Sequence, residues 1–86
     1  MNKNKNYHWY STKVLKVTPS LSYGFREGDT VYTQKSGEKV LVFNGRYATR
    51  TLSKAEARKC LKLIKRLDSR ENDEVDRRYS CALYHY

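Results

Sequence analysis

The chain has 86 residues, of which 18 are Lys or Arg and 9 are Asp or Glu, so that its net charge is +9. This length allows one domain with a thin hydrophobic core, and two cysteines with two scattered histidines exclude a convincing zinc site, so we expect no metal and no cofactor. No run approaches the roughly 20 apolar residues of a membrane span, and the polar start lacks the apolar stretch of a signal peptide, which predicts a cytoplasmic protein without membrane contact.

The N-terminal part is basic and rich in aromatic side chains. Residues 1–6 are predicted to form a flexible basic arm on the single domain 1–86. The alternation that begins at Thr12 predicts a first strand, which Pro19 ends because proline cannot donate to a sheet. The glycine-bearing residues 20–29 predict a loop.

The middle of the chain gives the clearest strand pattern. The β-rich runs TVYTQK and KVLVFN are joined by SGE, a short glycine-bearing connection. Asn44-Gly45 strongly favours a tight hairpin and leads into RYATRTL. We therefore predict an antiparallel meander of three strands over residues 30–52. Two alternating sets compete for the buried face of its last strand, namely Tyr47, Thr49 and Thr51 or Ala48, Arg50 and Leu52.

A capping box predicts where the main helix begins. Ser53 stands three residues before Glu56, and this S-x-x-E pattern satisfies two backbone amides at a helix start. We predict a helix over about 54–67 that packs across the sheet. Its buried stripe, at helical spacing, is formed by Ala57, Cys60, Leu61, Ile64 and Leu67.

The last residues are predicted to close the sheet. Residues 68–74 are polar and predict a loop, and RRYSCALYHY (77–86) predicts a C-terminal strand. The fold class is therefore α+β, with an antiparallel sheet of three to five strands packed on one main helix. Cys60 on the helix stripe and Cys81 in the strand are expected to be buried free thiols.

The predicted helix has a basic side with almost no acid to alternate with its cations. Each pair of like charges at i,i+4, such as Arg58 and Lys62, destabilises a helix by roughly 0.2–0.5 kcal/mol. The plainer interpretation is a solvated face that keeps a small domain soluble, and the functional one is a polyanion that offsets the cost. Lysines also interleave with rings near the N-terminus, a mixture that suits nucleic acid, although Trp9 is better explained as a core anchor.

These features predict a small nucleic-acid-binding protein that contacts phosphates and stacks on bases, with no chemistry of its own. We expect RNA at least as readily as DNA, because tyrosine-rich surfaces favour unpaired bases and no major-groove reading pattern occurs. The candidate contact residues are Tyr7, Tyr10, Lys13, Lys16, Arg46, Tyr47, Arg50, Lys54, Arg58, Lys59, Lys62, Lys65 and Arg66.

Residues 44–64, NGRYATRTLSKAEARKCLKLI, resemble the strand-to-helix passage of the plant AP2-type domain and of the integrase arm-type DNA-binding domain. Those domains share a glycine turn, an aromatic strand, a small polar cap and a helix that opens with Glu-Ala. A three-stranded sheet backed by one helix can lay its open face in a DNA groove. The Trp and Arg positions by which the AP2 type reads bases have no counterpart here, so the resemblance implies architecture more than DNA specificity.

The terminal SCALYHY resembles the end of the RelE/YoeB-type ribonuclease toxins, whose last strand closes with Tyr-His-Tyr. The resemblance implies an alternative function, RNA cleavage by general acid–base chemistry with His85 and Tyr86, helped by Arg77 or Arg78. Those toxins place two helices before their sheet, whereas strands come first here. The plainer interpretation is a set of aromatic residues on an edge strand.

The short, Lys- and Asn-rich chain is similar in style to accessory proteins of large tailed phages. This similarity implies another alternative, a host-takeover or counter-defence factor in the bacterial cytoplasm. Such a factor would inhibit a host enzyme, toxin or nucleoprotein, directly or through bound RNA.

Overall fold

The computed structural model describes residues 8–84, except for the side chain of Tyr84, so that the predicted arm (1–6) lies outside the described residues. In chain order the elements are β1 (Tyr10–Val14), a short 3-10 helix (Pro19–Leu21), β2 (Thr30–Ser36), β3 (Lys39–Phe43), β4 (Thr49–Ser53), α1 (Lys54–Cys60), β5 (Leu61–Arg66) and α2 (Ser69–Tyr84). The strands form one sheet of five in the order β4-β3-β2-β1-β5, and every neighbouring pair is antiparallel. The predicted α+β class is confirmed.

The meander predicted over residues 30–52 is present as β2, β3 and β4. Gly37 (φ +66°) lies in the tight turn between Ser36 and Lys39, where it adopts left-handed backbone. Gly45 (φ +88°) is also left-handed, but the connection between Phe43 and Thr49 is longer than the predicted tight hairpin.

Ser53 caps α1, because its Oγ accepts the backbone N–H of Glu56 at 3.1 Å. The reciprocal half of the predicted capping box is not formed, since the Glu56 carboxylate accepts the Thr18 hydroxyl at 2.8 Å instead of the Ser53 N–H. Local turn and capping chemistry therefore determines this part of the chain.

The helix predicted over 54–67 is wrong beyond Cys60. Leu61 has φ −125° and ψ 148°, which is extended backbone, and β5 follows at once. β5 pairs with β1 from Val14 outward, so that β1 has a hydrogen-bonded neighbour on each side. A helix here would leave that edge of β1 unpaired. Ile64, predicted to be buried, is 52% exposed at a bulge in this pairing.

The predicted C-terminal strand is also wrong, because residues 69–84 form α2. Asp68 and Glu71 cap its start reciprocally: Asp68 Oδ1 accepts the Glu71 N–H at 2.8 Å, and Glu71 Oε1 accepts the Asp68 N–H at 3.3 Å. Cys60 is buried as expected, but Cys81 is exposed on this helix. Residues 68–71 are thus a helix start rather than a loop.

A helix packs on each face of the sheet, whereas the sequence pattern predicted a helix on one face. On one face, α1 and the loop between β1 and β2 enclose a cluster of Val14, Leu21, Phe25, Val31, Val42, Ala48, Leu52, Ala57 and Cys60. On the other face, α2 packs on a second cluster of Trp9, Phe43, Leu67 and Val75, flanked by Tyr32, Leu41, Tyr79 and Ala82. Ala48 and Leu52 are buried in the first cluster, which favours the set of Ala48, Arg50 and Leu52 for this face, although Arg50 itself is exposed.

Trp9 acts as a core anchor between the sheet and α2. Its side chain is fully buried, and its ring lies 5.2 Å from that of Tyr79 and 6.0 Å from that of Phe43. The indole N–H donates to Asp76 at 3.3 Å, and the backbone N–H donates to Asn72 at 2.7 Å. These contacts explain why the C-terminal segment is held as a helix across the sheet.

Candidate nucleic-acid interface

The single cationic helix face predicted from the sequence is not formed. Because α1 ends at Cys60, the cations predicted for that face divide between a helix and a strand. Lys54, Arg58 and Lys59 are exposed on α1, Lys62, Lys65 and Arg66 are exposed on β5, and Lys13 and Lys16 are exposed on and just after β1.

Strand β5 is the last in the sheet, and with its neighbour β1 it forms what we call the β1–β5 edge. This edge carries lysines that face one another. Lys13 is the cross-strand partner of Lys62, and like charges in this position disfavour the pairing. Lys65 Nζ lies 3.5 Å from Glu71 Oε1 at the start of α2. The helix packed beside this edge therefore neutralises part of its charge.

Of the two predicted N-terminal tyrosines, the structure describes Tyr10, which is the cross-strand partner of the candidate Arg66. Tyr7 lies outside the described residues. Tyr10 is half-buried, and it lines a shallow groove of about 270 Å³ with Thr33, Val40 and Leu63. This groove lies on the face of the sheet that α1 only partly covers.

The remaining predicted residues, Arg46, Tyr47 and Arg50, meet the loop between β1 and β2. The loop folds over the β3–β4 turn and leaves an open cleft of about 580 Å³. We name this feature the tyrosine cleft, and it is lined by Ser22, Tyr23, Gly24, Phe25, Arg26, Asp29, Arg46 and Tyr47.

Two exposed tyrosine rings mark the cleft. Tyr23 is 63% exposed and Tyr47 is 57% exposed, and their ring centroids are 6.0 Å apart at an interplanar angle of 76°. The Arg50 guanidinium lies over the Tyr23 ring, 5.7 Å from its centroid, and also donates to the Thr49 carbonyl at 2.8 Å. The pair is thus an aromatic surface open to solvent, with a cation held against it.

Asn44 holds the two walls of the cleft together. Its Oδ1 accepts the backbone N–H groups of Arg46, Tyr47 and Ala48 at 2.9, 3.0 and 3.1 Å. Its Nδ2 donates to the Gly24 carbonyl at 2.9 Å. One buried amide therefore fixes the turn that carries Arg46 and Tyr47 and ties it to the loop that carries Tyr23.

Gly24 makes the close approach of the walls possible. Its φ of +89° is favourable only for glycine, and a Cβ at this position would collide with the Cβ of Ala48. The glycine is thus required both for the backbone conformation and for the contact between loop and turn.

The cleft has a strong excess of positive charge. Arg26 and Arg46 line it, Arg50 borders it, and none of the three is in an ion pair within the described part of the chain. Asp29 is the acid in the lining, and its Oδ2 accepts the Arg26 backbone N–H at 3.0 Å. Its carboxylate is therefore used to close the loop, while the guanidinium groups remain available.

Arg46, Tyr47 and Arg50 of this site were identified from the sequence, whereas the residues on the loop were missed. Tyr23, Arg26 and Asn44 are missing from the predicted contact residues, since residues 20–29 show only a generic loop pattern and Asn44 a generic hairpin signal. The signal that could have found them is the pair of glycines beside exposed rings, Gly24 with Tyr23 and Gly45 with Tyr47. The convergence of loop and turn itself is a tertiary event without a local signature.

The ribonuclease alternative loses the strand on which its resemblance depends, because residues 69–84 are helical. His85 and Tyr86 lie outside the described residues. Among residues 8–84, no cluster of His, Cys, Asp or Glu has the arrangement of a metal site. Within the same residues, neither helix combines the length and apolar character needed to cross a membrane.

No family model, no curated protein and no solved structure matches this chain. The resemblances at 44–64 and at the C-terminus therefore remain predictions from short stretches. At 44–60 the local order of glycine turn, strand, capping serine and helix is present. The site must be interpreted from its own chemistry.

Proposed function

We propose that the protein binds nucleic acid, with the tyrosine cleft as its principal contact. The observation that carries this proposal is the convergence of two exposed tyrosine rings with three arginines whose guanidinium groups are in no ion pair among the described residues. Guanidinium groups bind phosphate through paired N–H donors, and aromatic rings stack on bases.

The rest of the surface supports the same proposal. The net charge of +9 attracts polyanions over distances comparable with the Debye length. Exposed cations on α1 and on the β1–β5 edge can add phosphate contacts outside the cleft. RNA remains at least as suitable a ligand as DNA, because a cleft of this kind has no element that could enter a major groove to read base edges.

The proposal is tested by titrating labelled single strands of RNA and of DNA at several salt concentrations. We expect dissociation constants below about 10 μM at low salt, with a log–log salt slope of at least about 1.4, because Arg26 and Arg46 each contribute about 0.7 on a single strand and cations outside the cleft add to this. Arg46→Ala should lower the slope by about 0.7. Arg77→Ala, which removes an exposed charge from α2, should leave it unchanged.

The proposal is wrong if neither polymer binds below about 10 μM at low salt. An equal loss of slope in Arg46→Ala and Arg77→Ala would show binding by overall charge, with no special role for the cleft. Urea unfolding of each variant, followed by the fluorescence of the buried Trp9, establishes that the fold is intact.

A further inference from the structure

We propose that the tyrosine cleft receives one unpaired nucleobase, so that the protein selects single-stranded over duplex nucleic acid. This inference rests on the proposed function and specifies its ligand. It assigns Tyr47 as the residue on which the base stacks, because the Tyr23 ring is nearly perpendicular to it and has the Arg50 guanidinium over its face. Tyr23 contacts the edge of the same base, Arg26 and Arg46 contact neighbouring phosphates, and Asn44 is the positioning residue that holds the two walls.

The first support is the placement of the rings. A duplex presents phosphates and base edges but hides the flat faces of its bases within the stack. The Tyr47 ring can therefore stack only on a base that has left a duplex or was never paired. More than half of Tyr23 and of Tyr47 is exposed, whereas Trp9 of the same chain is fully buried.

The second support is the size and shape of the cleft. Its volume of about 580 Å³ lies in the range of roughly 300–1,000 Å³ found for small-molecule sites. It is a recess between a loop and a turn rather than a flat or convex surface. A single base with its sugar fits such a recess, whereas the wide, rigid cylinder of a duplex does not enter it.

The third support is the arrangement of charge around the rings. Arg26 and Arg46 line the recess itself, on the loop and on the turn respectively. Arg50 is held against Tyr23 by a cation–π contact and by its hydrogen bond to the Thr49 carbonyl. Guanidinium groups on opposite walls suit a chain that passes through the recess with a phosphate on each side of the bound base.

The fourth support is the rigidity of the walls. Asn44 makes four hydrogen bonds that fix the turn and join it to the loop, and Gly24 permits their close approach. A recess organised before the ligand arrives loses less conformational entropy on binding. We therefore expect a preformed binding site, in contrast to a flexible loop that would close on any polyanion.

The test compares single strands with duplexes on the full chain. Labelled oligo-U, oligo-dT and RNA and DNA duplexes of about 12 units, a length within known single-strand site sizes, are titrated against wild type, Tyr47→Leu and Tyr47→Phe. We expect Tyr47→Leu to weaken single-strand binding by about 5- to 150-fold, the effect of one lost stack. Tyr47→Phe keeps the ring face and should stay within about twofold of wild type.

Duplex binding should be weaker in wild type and insensitive to Tyr47→Leu. Tyr23→Leu provides a second variant, which removes the contact to the edge of the base, and urea unfolding followed by Trp9 fluorescence controls for folding. Polyglutamate serves as a competitor that carries charge without bases, and we expect it to displace oligo-U poorly.

The outcomes separate this inference from the proposed function. If neither single strands nor duplexes bind, the proposed function itself has failed. If duplexes bind as tightly as single strands and both leucine variants bind like wild type, nucleic-acid binding stands and the unpaired-base site is wrong. Displacement of oligo-U by polyglutamate at equal charge would also overturn it, because the cleft would then be a site for acidic polypeptides.

Discussion

Asn44 is the residue on which the geometry of the tyrosine cleft most depends. Asn44→Ala leaves three backbone N–H donors and one carbonyl without the partner that they have now. We expect the free energy of unfolding to fall by about 2–4 kcal/mol, since a buried polar group without a partner costs about 1–3 kcal/mol and the turn admits some water. Urea unfolding followed by Trp9 fluorescence measures the change.

Asn72→Ala is the matched control for this substitution. Asn72 accepts a single bond, from the Trp9 backbone N–H, so its loss should cost about 1 kcal/mol. A cost for Asn44→Ala no larger than that for Asn72→Ala would contradict the role assigned to Asn44.

Gly24 and Gly28 form a pair that separates backbone strain from steric conflict. Both have positive φ, +89° and +92°, but a Cβ on Gly28 meets nothing within 4 Å whereas one on Gly24 meets Ala48. We expect Gly28→Ala to cost about 1–2 kcal/mol from backbone conformation alone. Gly24→Ala should cost about 1–3 kcal/mol more because loop and turn must move apart.

The same urea unfolding experiment measures both glycine variants. Equal losses in the two would mean that the loop does not press against the turn, and the cleft as described would lack one of its walls. Reduced single-strand binding by a folded Gly24→Ala protein is the corresponding functional expectation.

Part of the cleft was predictable from individual residues, and part was not. Arg46 and Tyr47 follow the hairpin signal at Asn44-Gly45, and Arg50 lies on the strand just after them, so their proximity is local. Tyr23 meets Tyr47 only because the loop packs Leu21 and Phe25 into the core beside Ala48. No spacing rule in the sequence reports that contact.

At the scale of elements, the start of α1 was predictable and its end was not. Ser53 marks the start through its N-cap bond to the backbone N–H of Glu56, three residues along the chain. The stretch that follows fits both helical and alternating patterns, and its strand partner β1 lies far away in the sequence. Tertiary pairing therefore overrides helical spacing at Leu61.

The C-terminal helix was predictable from its capping box, which resembles the sequence pattern at Ser53. Asp68 and Glu71 have the same three-residue separation, and Val75, Tyr79 and Ala82 follow at helical spacing. The tyrosines near the C-terminus favour a strand by intrinsic propensity. In the structure, the cap at Asp68 and the packing of the segment on Trp9 outweigh that preference.

Asp68→Ala tests the capping of α2. We expect a loss of about 1 kcal/mol in the free energy of unfolding, because the N-cap side chain accepts the Glu71 N–H. Asp73→Ala removes the same charge from an exposed position within the helix and should change stability by less than about 0.5 kcal/mol. Equal effects would indicate that residues 69–84 are not a helix capped at Asp68.

Lys13→Glu tests the pairing of β5 with β1. It replaces a like-charged pair with Lys62 by an opposite-charged one, and we expect stabilisation by about 0.2–1 kcal/mol. Lys35→Glu makes the same charge change on β2, opposite Val40, and should bring no comparable gain. Destabilisation by Lys13→Glu relative to Lys35→Glu would contradict the register.

For the whole molecule, the distribution of charge differs from the one that the sequence suggested. A continuous helix over 54–67 would have gathered the cations on a single face, whereas the fold places them on α1, on the β1–β5 edge and around the cleft. Lys65 is partly neutralised by Glu71, while the cleft arginines are not in ion pairs among the described residues. The functional surface therefore moves from the helix to the cleft, and Tyr47 rather than Lys62 becomes its centre.

Mapping of backbone amide chemical shifts during titration with oligo-U tests this claim most directly. We expect the largest changes to cluster at residues 22–26 and 44–50, which form the two walls and the Asn44 turn. Changes on α2 should be small, since that helix packs on the opposite face of the sheet. Perturbations centred on α1 and β5, with the cleft amides unmoved, would contradict the account.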